Sequence, residues 1–329
     1  MRFSRLGVFV LIAVTVFGNT NCRYYDRVMA RKNLVDGSKS YKDRKFPEAE
    51  QLFRQAAARD PNGETEEGRV AQLFLARTLH SEYIGNRKDT SKAEEAITQY
   101  QKALAQNPND QSSYKAIASL YENLQRSDDW LKWVTARSTN TSIPPEQRAE
   151  ALTSLAAKKN TCANDISDTE KTKKTITKDG KPSFQFLKPE SPEEFEKFKA
   201  CVDEGTKLID QAVALETDTV RTAKSLDPKS MSDQQLTSTQ DHLKVFESAR
   251  SYKASLLFQA MREAEMEGRT ADRDRLKQEA DAARASFLEL SDVVKKIQAE
   301  IDARTAAKEE AANTQKANTA AANSAANKK

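Results

Sequence analysis

Catalysis needs titratable or nucleophilic side chains at workable spacing, and this sequence offers few. Its two histidines are His80 and His242, and its three cysteines are Cys22, Cys162 and Cys201. Neither histidine lies near a cysteine, so the base that would activate a thiolate is missing from its neighbourhood. Two histidines also leave little for a metal site, which gathers several ligands. No two of the nine glycines lie within three residues of each other, which excludes a dinucleotide-binding fingerprint. No catalytic residue, metal or cofactor is expected, and the chain reads as a non-enzyme.

The elements that would position any binding residues are helices. Gly and Pro number nine each in 329 residues, against usual shares of about 7% and 5%. A sandwich or barrel needs many turns built on those two residues. A composition 31% charged and 38% hydrophobic fits helices with a thin core, so the expected class is all-α. Lys plus Arg is 53 and Asp plus Glu is 49. With the signs interleaved, no nucleic-acid partner is expected.

Arg2 and Arg5 form a short basic leader, and Leu6 to Phe17 follow without a charge. That run is shorter than the roughly 20 residues a spanning helix needs, but suits the apolar centre of an export signal. With Cys22 beyond it, the segment 1–21 resembles a bacterial lipoprotein signal, in which the cysteine becomes the lipidated first residue. The family's usual Leu and small residue before that cysteine are Asn19 and Asn21 here. Cleavage after Gly18, giving a soluble product, and an uncleaved anchor are the alternatives. All three place residue 23 onward outside the cytoplasm. Arg23 is not the Asp that retains many lipoproteins in the inner membrane, so a periplasm-facing lipoprotein of the outer membrane is the expectation, although the sequence does not define which membrane is used. With Cys22 lipidated, Cys162 and Cys201 remain as a pair in an oxidising space. Their disulfide would close a loop of about 40 residues and constrain the unfolded chain by about 4 kcal/mol. Two buried thiols are the alternative.

A figure recurs in the first half. Ala49, Phe53 and Ala56 share one helix stripe, and Asp60-Pro61-Asn62 closes the unit. Ala96, Tyr100, Ala103 and Asn107-Pro108-Asn109 repeat that spacing. Gly37 is the small residue of the first helix, and a turn lengthened over Ile84 to Ser91 accommodates the second unit. A third unit holds Tyr114, Ile117, Ala118 and Tyr121, then Trp130 and Val134. This resembles the tetratricopeptide repeat, an antiparallel helix pair of about 34 residues that stacks into a superhelix. The expected organisation is three such hairpins over 22–144 and a split fourth over 145–225. A C-terminal helical hairpin over 226–302 and a disordered Ala/Asn/Lys tail over 303–329 complete it.

The fourth hairpin pairs a helix from Pro145 to about Cys162 with one from Pro192 to Leu215, so the disulfide would pin them. The latter pattern continues to Ser225 before Asp227-Pro228 breaks it. Between them, at about 165–191, lies a Lys/Thr-rich insert centred on Asp179-Gly180. That pair between β-favouring runs predicts a small β-hairpin, with a basic loop as the alternative. Ser232 is the expected cap of the long helix that follows.

The repeat resemblance implies a concave face, lined by the first helix of each unit, that holds a peptide or partner helix. Carried across, its positions are Leu34, Ser38, Tyr41 and Lys42; Leu73, Arg77, His80 and Ser81; and Lys115, Ser119, Glu122 and Asn123. Tyr41, Arg77, His80, Lys115 and Asn123 are the expected binding residues, with Arg77, His80 and Lys115 suited to a carboxylate. The expected function is a non-enzymatic scaffold of the cell envelope. It would be tethered to the membrane through the Cys22 lipid and bind another envelope protein or peptide. A structural link from membrane to cell wall and a soluble periplasmic ligand-binding repeat protein are the alternatives. The sequence does not define the oligomeric state.

Overall fold

The computed structural model describes residues 5–178 and 180–326 of the chain. The side chains of residues up to 23 are outside that description, so the export segment and the lipidation of Cys22 lie outside it too, as does Asp179 of the expected turn. Among the described residues no helix is long and apolar enough to cross a membrane. The chain divides into two compact units, Met1–Trp133 and Val134–Lys329.

The first unit consists of helices α1 (Arg5–Lys42), α2 (Phe46–Ala58), α3 (Glu66–Gly85), α4 (Thr90–Gln106) and α5 (Gln111–Asn123), and α6 (Ser127–Thr139) begins in it. Each of α1 to α4 packs on the next, and α1 also touches α3, the arrangement of stacked hairpins. The recurrent stripe is the cause. Ala49, Phe53, Ala56 and Ala96 are fully buried and Tyr100 nearly so. Burying a ring such as Phe53 stabilises the fold by about 2–3 kcal/mol. Small alanines on either side let the neighbouring helix approach.

The helix starts follow their capping residues. Thr65 caps α3 by accepting from the Gly68 N–H at 3.1 Å. Asp60, from the Asp-Pro-Asn closure, takes the Thr65 N–H and hydroxyl at 2.7 Å each and the Glu64 N–H at 3.0 Å. Burial pushes the Asp60 carboxyl up, but these hydrogen bonds outweigh it and hold it below the usual range. Asp110 does the same service for α5, accepting from the Ser112 N–H at 3.1 Å and the Ser113 hydroxyl at 2.6 Å. The lengthened turn expected over Ile84 to Ser91 is absent. Helix α3 instead runs on to Gly85, and the turn is confined to Asn86–Asp89.

In the second unit, α7 (Pro145–Ser167) and α8 (Pro192–Ala214) form the split hairpin. Cys162 is bonded to Cys201, with Cα atoms 6.1 Å apart, and Lys159 pairs with Glu204, so the helices run antiparallel. The insert forms strands β1 (Lys173–Lys178) and β2 (Lys181–Phe186), antiparallel, with Gly180 at φ +72° in the turn. Only glycine adopts that conformation at no steric cost. The helical pattern expected through Ser225 stops at Leu215. A short helix α9 (Asp218–Arg221) and two 3₁₀ turns, Ala223–Ser225 and Pro228–Ser230, follow.

Helices α10 (Asp233–Met266) and α11 (Thr270–Ala326) complete the unit. Ser232 and Gln235 make a reciprocal capping box at the start of α10. Pairs Asp233 with Arg304, Gln240 with Gln298 and Arg250 with the Ser286 carbonyl fix the two helices as antiparallel. Leu152, Ile209, Leu236, Leu243, Phe246, Leu256, Leu290 and Ile297 form their shared core with α7 and α8. The tail expected to be disordered from Ala303 continues as helix to Ala326. Its Ala, Glu, Lys and Gln are strong helix formers, which suffices to extend α11 although the described side chains beyond Ala307 are exposed. The chain is thus all-α, built of helical hairpins with one small β-hairpin.

Candidate functional site

Helices α1 and α3, the first helices of consecutive hairpins, leave an open groove of about 620 Å³ between them. Leu34, Val35 and Val70 supply its apolar surface, and Val35 is 64% exposed. Arg27, Arg31, Lys39 and Lys42 stand along the α1 side, and Glu66 and Glu67 at the start of α3. Their placement follows from helical spacing. Residues 27, 31, 35, 39 and 42 recur at intervals of four and three, so they share a stripe. Leu34 turns toward the core, at 8% exposure.

The charges do not cancel along this groove. Arg27 donates through Nε to both oxygens of Glu67, at 3.1 and 3.0 Å. Its own N–H at the helix start, then Arg27 and Arg31, hold the Glu67 carboxylate below the usual range. Arg31, Lys39 and Lys42 form no ion pair among the described residues. An apolar strip flanked by three unpaired cations suits an extended or helical segment with alternating acidic and apolar side chains.

Of the positions carried from the repeat resemblance, Leu34, Ser38 and Lys42 line the groove. The five expected binding residues do not. Tyr41 is half-buried beside it, its hydroxyl 3.2 Å from Ser81 Oγ and its ring edge-on to Phe46 and Phe74. Arg77 lies over the Phe74 ring at 5.4 Å and donates to Ser112 Oγ at 3.4 Å. His80 meets Tyr100, Nδ1 to hydroxyl, at 3.5 Å. Burial, then the charge of Arg87, pushes the His80 imidazole below its usual range, so it is neutral at pH 7 and supplies no cation. Lys115 is exposed on α5. Asn123 accepts from Arg87 at 2.6 Å through Oδ1, and its carbonyl accepts from the Tyr83 hydroxyl at 3.3 Å. Tyr41, Phe74, Arg77 and Ser81 form one contact cluster on α1 and α3, whereas Lys115 and Asn123 stand apart on α5. Arg31, Val35 and Lys39 are among the groove residues that sequence reasoning missed. Their four-residue spacing was visible, but not the neighbour across from them.

Among the described residues no group of His, Cys, Asp and Glu is placed to hold a metal ion. What the geometry defines is an all-α chain of helical hairpins, with an open groove between α1 and α3 of its first unit. No family model matches the sequence. No curated protein matches it either. Among solved structures it is similar to one described as "Functional Characterization of Pseudomonas Aeruginosa pilF". The two are 14% identical over 84% of this chain and 99% of that one, with a TM-score of 0.30.

Proposed function

We propose that this protein is a non-enzymatic scaffold of the cell envelope that holds a segment of another protein in the groove between α1 and α3. The observation that carries the reading is that groove itself, with exposed Val35 on its apolar strip and the unpaired cations Arg31, Lys39 and Lys42. An acidic, amphipathic segment of a second envelope protein is the occupant with matching chemistry. The basic leader, apolar run and Cys22 support export and a lipid tether on a periplasm-facing membrane, most simply the outer one. The tether would raise the effective concentration of partners in the same membrane without any new contact.

A photo-crosslinking residue in place of Val35, expressed in the native host, tests the groove. The expected result is a discrete crosslinked partner that disappears when Lys39→Glu and Lys42→Glu are added. Equal crosslinking from an exposed control site such as Leu288 would contradict it. Intact mass of the membrane fraction beside Cys22→Ser tests the tether separately. A chain starting at Cys22 with added acyl mass is expected, and an unmodified chain starting at Asn19 would remove the tether from the reading.

A further inference from the structure

Of the eight large hydrophobic side chains exposed among the described residues, Tyr24, Tyr25 and Val28 fall within five residues of α1. They are 74%, 58% and 47% exposed, so exposed apolar surface is concentrated where the described side chains begin. Helical spacing explains the grouping. Val28 lies four residues beyond Tyr24 and three beyond Tyr25, so the three side chains are neighbours. Ala30, Asn33 and Leu34 occupy the other side of the helix and are buried.

The charges within this stretch are paired. Asp26 accepts from Arg59 at 2.7 Å, and Arg27 reaches Glu67 at 3.0 Å. The Arg59 guanidinium also lies 5.6 Å over the Tyr25 ring and holds it in place. A less polar medium over the patch would therefore meet no unpaired charge among the side chains of residues 24–28.

Position decides the occupant. Helix α1 is continuous from Arg5 to Lys42, with a rise of about 1.5 Å per residue. The Tyr24 backbone thus lies about 3 Å along the axis from Cys22, and Val28 about 9 Å. An acyl-bearing Cys22 sits at the surface of its own bilayer, which brings all three side chains to headgroup depth. Any other partner would have to displace a membrane that the lipid holds against the patch.

We propose that Tyr24, Tyr25 and Val28 are seated in the headgroup interface of the bilayer that carries the chain, a second, non-covalent contact beside the Cys22 lipid. The inference rests on the proposed tether. Tyrosine fits that layer because its ring is apolar and its hydroxyl stays wet. Acyl chains alone leave a tethered protein free to swing, whereas buried apolar side chains fix the start of α1 at the surface. Val35 stands about 17 Å along the axis from Tyr24, so the apolar strip of the groove stays in water.

Tyr24→Trp, Val28→Trp and Val35→Trp are made in the full chain, recovered from the membrane and reconstituted in phosphatidylethanolamine–phosphatidylglycerol vesicles with brominated acyl chains. The wild-type chain supplies the background of Trp130 and Trp133. The indole at position 24 should be blue-shifted and quenched, that at 28 less so, and that at 35 should emit as in water. p-Cyanophenylalanine at position 24 gives the same reading with a nearly native ring if the indole disturbs α1. Adding Tyr24→Ser and Tyr25→Ser to Val28→Trp should abolish the quenching at 28, because the rings hold that turn down. Intact mass of the same samples separates the seat from the tether. Acyl mass on Cys22 with water-like emission at 24 and 28, or with quenching at 28 unchanged by the two serine substitutions, would overturn the seat and leave the tether. An unmodified chain starting at Asn19 would overturn both. A blue shift without bromine quenching that grows with protein density would put a second copy on the patch and overturn the seat as well.

Discussion

Gly37 on α1 and Phe53 on α2 occupy the same space in turn: a Cβ added at Gly37 would lie 2.8 Å from Phe53 Cε1. Phe53 is fully buried, so its ring has no room to withdraw. The glycine is what lets the two helices of the first hairpin close over a phenylalanine. The same device appears in the second unit, where a Cβ at Gly205 on α8 would lie 2.6 Å from Leu256 Cδ2 on α10.

Gly37→Ala should therefore destabilise the first unit by about 1–2 kcal/mol, because overpacking outweighs the gain of roughly 1 kcal/mol in helix propensity. On a Phe53→Ala background, which itself costs about 3–5 kcal/mol, the sign should reverse and Gly37→Ala should stabilise. Urea denaturation of the four proteins checks this. An unchanged sign on both backgrounds would mean that the ring is not what excludes the methyl.

The bond between Cys162 and Cys201, 39 residues apart in sequence, ties α7 to α8 across the insert. Replacing both by Ser should lower the stability of the second unit by about 4 kcal/mol on the chain-entropy account. Denaturation monitored under oxidising and reducing conditions checks it. Wild type should respond to reductant and the double variant should not.

A pH dependence arises where Lys92 bridges two carboxylates, 2.5 Å from Glu50 and 2.8 Å from Glu82. Burial pushes both up. Hydrogen bonds from Lys92 and Arg54 then bring Glu50 below its ordinary value of 4.5, whereas the neighbouring Glu50 keeps Glu82 above it. The folded chain therefore holds a proton on Glu82 where the unfolded chain has lost it. Stability from that group falls as pH rises from about 4.5 through the raised folded value. The Glu50 contribution has the opposite sign: it is present above 4.5 and lost as pH falls through the lowered value. Glu82→Gln keeps the neutral shape, so its stability relative to wild type should improve from pH 4 to pH 7. A relative decline over that range, measured by thermal or urea unfolding, would contradict the assignment.

Arg262 holds the base of the β-hairpin. Besides covering Phe186, it donates to Ser167 at 3.0 Å and to Asn164 and Gln259 at 3.3 Å each. Arg262→Ala should cost about 2–3 kcal/mol, the sum expected of a half-buried cation–π contact and a lost, partly buried hydrogen-bond set. Arg262→Lys should not restore it, since an ammonium cannot stack and fork together. Faster amide exchange in β1 and β2 is the accompanying readout.

Much of this fold was legible because helical spacing states which side chains go inward. Ala49, Phe53 and Ala56 repeat as Ala96, Tyr100 and Ala103, and Pro61 and Pro108 close both units at the same place. The Asp179-Gly180 pair marked the β-hairpin turn for the same local reason. The helix through Ala326 was missed because the tail has nothing to bury, and helix propensity alone carries it. The groove was only half legible. Leu34, Ser38 and Lys42 came from the position of a first helix in its repeat. Which exposed residues face a neighbour across open space depends on how α1 and α3 pack, so Arg31, Val35 and Lys39 carried no local sign of their role. His80 shows the converse: its sequence position suggested a cation, and its burial against Tyr100 makes it neutral.

The central claim is that the cations of the α1–α3 groove select an acidic, amphipathic polypeptide. The most direct measurement is a selection from a random peptide library on the purified full chain, repeated with Arg31→Glu, Lys39→Glu and Lys42→Glu combined. Peptides enriched on the wild type should alternate Asp or Glu with apolar residues, and the triple variant should lose them by at least tenfold. Enrichment of peptides with no acidic bias, or of peptides that bind the triple variant equally well, would contradict the account.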